Sequence, residues 1–258
     1  MSKSNSNAAS TTSPVSAPVE VESRKSGPHI IQYGIFVVFA IYYVIVTIFR
    51  PSFLSLGNLY DIFTETAIIS FVSFGEAIVI AAGGLDLSVG NAAGAAAMLT
   101  CHLMSNMGYD IWVSIAAGVA IGIFIGVCNG LMVTRLYMNS LIATLGTMFV
   151  LVGFLYGITG GVSVHIVPEN FEYLGNGTFL NIPIPIFIMA VVFVIAYLFM
   201  EKTSYGRNIT MIGGNIEACR LSGVNIRKLT MLTFVICGFL STFSGILLPA
   251  RQAVGNVD

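Results

Sequence analysis

Between Ile30 and Phe49 the chain carries no charged side chain, and six further apolar runs follow it. A helix crosses the hydrocarbon core of a bilayer with about 20 residues at ~1.5 Å rise each. Ile30–Phe49 meets that length. The runs Ala67–Ala82, Val89–Met107, Ile111–Val133, Leu141–Ile158, Ile182–Met200 and Leu229–Leu248 repeat the pattern. Pro51 is expected to stop the first run and Pro249 the last, because proline interrupts the helical hydrogen-bond ladder. No ten-residue alternation of the barrel kind occurs. The expected fold class is therefore all-α, a polytopic transmembrane helical bundle of about seven spans in a lipid bilayer.

Composition agrees with a membrane setting. Hydrophobic residues make up 56% and charged residues 9%, against about 25% charged in a soluble domain. The formal net charge of -1 gives no reason to expect nucleic acid as a partner. Cys101, Cys128, Cys219 and Cys237 match no zinc or redox spacing, and the histidines are scattered, so no metal site is expected. Residues 1–28 are rich in Ser, Asn, Ala and Pro and lack aromatics, which predicts a disordered tail ahead of a membrane domain over 29–258. Arg24-Lys25 comes too late, and the apolar run after it is too long, for a cleaved signal peptide.

Lysine and arginine set orientation through short loops. With a cytoplasmic N-terminus and seven crossings, nine of the cations fall inside, and only Arg50 and Arg251 fall outside. The long loop Gly160–Asn181 then lies outside and holds neither Lys nor Arg. Glycines recur every fourth residue at Gly118, Gly122, Gly126 and Gly130, and again at Gly153, Gly157 and Gly161. Small residues at this spacing let helix backbones approach closely where lipid supplies no hydrophobic drive. Generic packing and a sliding surface both fit that pattern.

Two segments interrupt the apolar pattern. Residues 201–228 form a polar, basic loop on the expected cytoplasmic side. Within it Asn215 is placed to cap a short helix over Ile216–Ser222, Glu217 to sit at its positive dipole end, and Gly223 to take a left-handed C-terminal position. A helix this short needs other protein to hold it. The second segment is the glycine-rich break with Gly83, Gly84, Asp86, Ser88 and Gly90. Broken backbone at membrane depth survives only where protein or a cavity covers it. Asp86 or Ser88 is placed to cap the following helix. Contact with a passing solute, or with a gate, also fits Asp86. A cap role predicts that Asp86→Asn still folds, since Asn caps nearly as well. Glu76, ten residues earlier, reads as a hydrogen-bonded interior carboxyl group or as part of a pathway. Asn91, Asn129 and Asn139 read as ties between helices. Asn176-Gly177-Thr178 fits a glycosylation acceptor, a pattern common by chance.

The stretch Glu217-Ala218-Cys219-Arg220-Leu221-Ser222-Gly223 resembles the coupling motif of binding-protein-dependent ABC permeases, Glu-Ala-Ala, three residues, then Gly, with Cys219 replacing the second alanine. Gly83-Gly84-Leu85-Asp86-Leu87-Ser88-Val89-Gly90 is similar to the signature of the ribose-type sugar permeases, and Thr144-Leu145-Gly146-Thr147-Met148 and Tyr205-Gly206-Arg207 also match that group. The resemblance covers about residues 30–258 and implies a membrane-spanning subunit of an ATP-driven importer of monosaccharides, in the bacterial inner membrane. It assigns ATPase coupling to Asn215, Glu217, Ala218, Cys219, Arg220 and Gly223. It also implies a cytoplasmic ABC ATPase, an extracytoplasmic sugar-binding protein and a second permease subunit, in a homodimer. Members of the group continue beyond a seventh span, so a chain ending at Asp258 is expected to be truncated.

No Gly-x-x-x-x-Gly-Lys-Ser/Thr loop occurs, so this chain is expected to bind no cofactor, with ATP held on the partner subunit. An intramembrane enzyme would need paired catalytic groups at depth, and only Glu76 and Asp86 are carboxylates there. A branched-chain amino-acid permease and a non-transporting remnant are the other readings.

Overall fold

The computed structural model describes residues 30–160 and 168–252. The expected tail over 1–28, the loop residues 161–167 with Gly161, and the end of the chain over 253–258 lie outside the described residues. The described residues fall into two units, divided between Phe53 and Leu54. The first contains α1 (Ile30–Phe49), in which Thr47 Oγ1 donates back to the Tyr43 carbonyl at 2.8 Å. Its Tyr43 and Phe53 rings meet edge to face, with centroids 5.0 Å apart.

The second unit holds α2 (Leu56–Ala81), α3 (Val89–Ser105), α4 (Ile111–Thr134), α5 (Ser140–Thr159), α6 (Glu169–Asn176), α7 (Ile184–Lys202), α8 (Ser204–Gly214), α9 (Ile216–Leu221) and α10 (Ile226–Gln252). The only strands among the described residues are β1 (Thr178–Phe179) and β2 (Ile182–Pro183), a two-residue antiparallel pair. Five of the described helices, α2, α4, α5, α7 and α10, are long and apolar enough to span a bilayer. Seven spans were expected. At 17 residues, α3 reaches about 25 Å, short of the ~30 Å hydrocarbon core.

Helix ends follow local chemistry. Ser55, Asp110, Asn139 and Thr203 each accept a first-turn N–H through a side-chain oxygen. The Ser55 cap starts α2 well before Ala67, where the apolar run begins. Helix formation there is carried by capping and internal bonds such as Thr64 Oγ1 to the Tyr60 carbonyl at 2.7 Å. Pro249 does not end α10, which continues to Gln252. The last turn is held from outside: Asn176 Nδ2 donates to the carbonyls of Ala250 and Arg251, and Arg251 in turn bonds Asn176 and Asp61. The side chain in the glycosylation-like triplet is thus fully engaged in packing.

α10 is the centre of the unit. Its most apolar window is 61% buried against 6% for α7, and it packs on α2, α3, α4 and α6. The glycine ladder of α4 makes this approach. A methyl group added at Gly118 would overlap Thr100 of α3, and at Gly122, Gly126 or Gly130 it would overlap α10 at Thr242, Phe234 or Met231. Packing is thus the role these glycines have here. Gly153 and Gly157 of α5 face open space.

Candidate functional site

The break between α2 and α3 leaves successive backbone N–H groups without helical partners, and side chains receive them one by one. Ser140 Oγ accepts from Leu85 N at 3.2 Å, and Glu76 Oε1 from Asp86 N at 3.2 Å. Thr144 Oγ1 accepts from Leu87 N at 3.1 Å, and Asp86 Oδ1 from Ser88 N at 2.9 Å. Each would otherwise cost several kcal/mol in lipid. Gly83 takes φ +80, a left-handed conformation open to glycine. At Gly84 an added methyl group would press on Val79. Gly90 lies in the first turn of α3 facing open space, so it takes no part in shaping the break.

Asp86 sits at the middle of this knot and is 3% exposed. Its Oδ1 also accepts from Ser88 Oγ at 2.6 Å, and Asn129 Nδ2 of α4 approaches Oδ2 at 3.3 Å. Asn129 Nδ2 donates to Ser88 Oγ at 2.8 Å, and Asn129 Oδ1 accepts from Thr147 Oγ1 of α5 at 2.6 Å. The expected cap is modified accordingly. Ser88 occupies the N-cap position of α3 but makes no side-chain cap bond. Its hydroxyl is committed to Asp86, and Asp86 fixes the entry to α3 by holding the N-cap residue's own N–H. Glu76 is half-buried, and its one backbone bond reaches the same loop. Both carboxylates therefore brace the break, and the Asp86 oxygens have no face open to a passing solute in this conformation.

The second candidate segment lies against the first. A methyl group on Gly213, near the end of α8, would overlap the Ala81 carbonyl and crowd the Gly83 nitrogen. Only glycine permits this backbone-to-backbone approach. Two residues later Asn215 Oδ1 accepts from Ala218 N at 3.0 Å and starts α9. Glu217 and Arg220 form an exposed ion pair at 2.9 Å, and Gly223 closes the turn at φ +73. Cys219 points inward, fully buried with Ile78, Ile209 and Ile212. It anchors α9 to its own bundle, so Ala218 alone of the small pair faces outward. Leu221, which the sequence did not single out, is 88% exposed. Its signal was legible: an apolar side chain at the end of a polar loop.

The stretches that carried the resemblance fall on the break, on the α5 residues bonded to it, and on α8 and α9 packed beside it. Thr144 and Thr147 bond into the break and its network, and Gly206 seats α8 on the carbonyls of Phe199 and Met200. The sequence profile of a family described as "Branched-chain amino acid transport system / permease component" matches residues 58–258. The chain belongs to this family of permease components. Its relatives include the L-arabinose transport system permease protein AraH of Escherichia coli, 35% identical across 87% of this chain and 68% of that protein. The ribose import permease proteins RbsC of Haemophilus influenzae and Bacillus subtilis are 31% and 35% identical, across 90% and 88% of this chain and 73% and 69% of theirs. No solved structure gives a significant match. Permease membership and the apolar helices make this a multi-pass membrane protein and a transport component.

Proposed function

We propose that the chain is the membrane-spanning subunit of an ATP-driven, binding-protein-dependent importer of monosaccharides, of the arabinose and ribose type. The observation that carries this reading is the backbone contact between Gly213 of α8 and the Ala81–Gly83 end of α2. It makes one mechanical unit of the exposed α9 and the break inside the bundle. A push on α9 passes through α8 to the break that Asp86, Asn129 and Thr147 hold together. In this reading ATP is hydrolysed on a separate cytoplasmic ATPase, which seats against Glu217, Ala218, Arg220 and Leu221. An extracytoplasmic binding protein delivers the sugar, and a second copy of the permease completes the pathway. The profile description names branched-chain amino acids, whereas the relatives aligned over most of the chain are sugar permeases. The sugar class is the better fit, and the Gly83–Gly90 signature agrees with it.

Orientation follows the charge bias, with the N-terminus, α8 and α9 cytoplasmic. Cysteine at Thr178 should label with an impermeant thiol reagent in intact cells, and cysteine at Ser204 only after lysis. The reverse pattern would overturn the orientation. Function is tested by co-expressing the chain with its ATPase and binding protein and following uptake of radiolabelled arabinose, ribose and leucine. ATP-dependent uptake of a pentose is expected. Uptake of leucine alone would overturn the sugar assignment in favour of the amino-acid class.

A further inference from the structure

Two adjoining cavities open at the end of the bundle that carries α9. The larger, about 700 Å³, lies between the Gly83-Gly84 break, the ends of α4 and α9, and the start of α10. The smaller, about 420 Å³, lies between the end of α4 and the start of α10, and the two share Thr134, Asn225 and Arg227. Four cations converge on this cleft. Arg220 and Arg227 line the larger cavity, and Arg135, Arg227 and Lys228 the smaller. Among the described lining residues there is no aspartate or glutamate.

Arg135 and Arg220 lie at helix C-terminal ends, where the dipole favours a cation, but the other two cations stand against it. Arg227 and Lys228 occupy the first turn of α10, the longest helix, and that turn contains no acidic residue. A helix N-terminus carries about half a positive charge, so a cation there is unfavourable and an anion is favoured. Two guanidinium groups are nonetheless held in place. Arg227 lies 5.2 Å from the Tyr137 ring centroid and donates to the Tyr137 hydroxyl, and Arg220 is paired with Glu217. Arg135 and Lys228 have no side-chain partner among the described residues. Asn139, Ser140 and Thr230 add neutral donors, and much of the remaining wall is apolar, including Val79, Val133, Ile212, Ile216 and Phe234.

We infer that this cleft binds a phosphate-bearing anion. A phosphate group carries close to two negative charges and three strong acceptor oxygens. It matches the guanidinium of Arg135 and the ammonium of Lys228, and it neutralises a helix N-terminus that the chain itself has loaded with cations. The larger volume lies within the range of small-molecule sites, about 300–1,000 Å³. Two sources share this chemistry: the headgroup of an anionic phospholipid in the adjacent leaflet and a free phosphorylated sugar. The assignment of that side to the cytoplasm rests on the orientation proposed above, whereas binding itself does not. Because the cleft is walled by both α9 and the break, an occupant would bear on the same lever that couples them.

The test uses the purified full chain in phosphatidylcholine nanodiscs. In one arm, phosphatidylglycerol is added at a tenth of the lipid, and native mass spectrometry reads what stays bound. In the other arm, inorganic phosphate, ribose 5-phosphate and ribose are titrated calorimetrically. Retention of phosphatidylglycerol identifies the lipid source, and binding of ribose 5-phosphate in its absence identifies the free one. The double substitution Arg135→Gln with Lys228→Gln changes two exposed side chains that make no hydrogen bond or ion pair among the described residues, so the fold should be retained. It should weaken the binding seen by about tenfold or more, the loss of a charge-assisted bond. Arg207→Gln, on α8 outside the cleft, should leave binding unchanged. Failure of both arms on the wild-type chain would overturn the inference. So would ribose binding as tightly as its phosphate, or unchanged binding in the double variant. Loss of ATPase association in the double variant with phosphate binding intact would show instead that the cations dock protein. None of these results depends on uptake, so the importer reading stands or falls separately.

Discussion

Asp86→Asn exchanges one carboxylate oxygen for an NH2 group at the centre of a sealed network. The remaining oxygen must stay with Ser88, whose N–H and hydroxyl both donate to Oδ1, at 2.9 and 2.6 Å. The new NH2 then occupies the Oδ2 position, 3.3 Å from the NH2 of Asn129. Asn129 cannot turn away cheaply, because it donates to Ser88 Oγ at 2.8 Å and accepts from Thr147 Oγ1 at 2.6 Å. Asn129 is fully buried, so water offers no relief. One charge-assisted bond becomes a facing pair of donors, a loss of about 2 kcal/mol. For a domain of this size that lowers the thermal midpoint by about 4–8 °C, read in detergent by fluorescence-detected size exclusion. Adding Asn129→Asp puts an acceptor opposite the new NH2, and the Ser88 hydroxyl, which loses its donor from Asn129, turns to donate to the new carboxylate; the pair should return at least half the loss, as coupled neighbours do. This reverses the expectation from capping alone, in which Asp86→Asn folds normally. A midpoint within about 1 °C of wild type, or no recovery in the exchanged pair, would refute the argument. Wild-type stability with uptake abolished would give the charge a transport role instead.

Gly126→Ala drives a methyl group into the Phe234 carbonyl of α10 and should cost about 1–3 kcal/mol of stability. Gly153→Ala, facing open space, should stay within about 0.5 kcal/mol by the same thermal assay. Leu221→Asp should abolish co-purification of the ATPase while leaving the midpoint unchanged, since that side chain is 88% exposed. Gly223→Val, strained at φ +73 but free of clashes, should lose sugar-stimulated ATP hydrolysis with the protein still inserted in the membrane. Asn176→Ala should release the turn of α10 beyond Pro249, seen as faster amide hydrogen exchange at Ala250–Gln252.

Much of the fold could be read along the chain because lipid imposes a one-dimensional rule. A span must be long, apolar and helical, so composition alone located α4, α5, α7 and α10 to within a few residues of their ends. The cap at Asn215 and the left-handed Gly223 were equally local, since each depends on a side chain and a backbone only a few residues away, whereas Asn139, expected to tie helices together, instead caps α5 through Leu141 N. What lay beyond the sequence depended on partners distant in the chain. Polar residues before Ala67 belong to α2 because Ser55 starts it. Pro249 sits within α10 because Asn176 and Arg251 hold the following turn. The two glycine ladders read alike, yet among the described residues only that of α4 meets another helix, and nothing in a four-residue spacing tells which face will be covered. Nothing local to Asp86 indicated that α4 would bring Asn129 to its carboxylate, with Thr147 of α5 bonded behind it. The sequence by itself marked the apolar helices α4, α5, α7 and α10 and the place where the chain breaks. Tertiary structure decided what meets each broken backbone group, because in lipid every such group must find its partner within the protein.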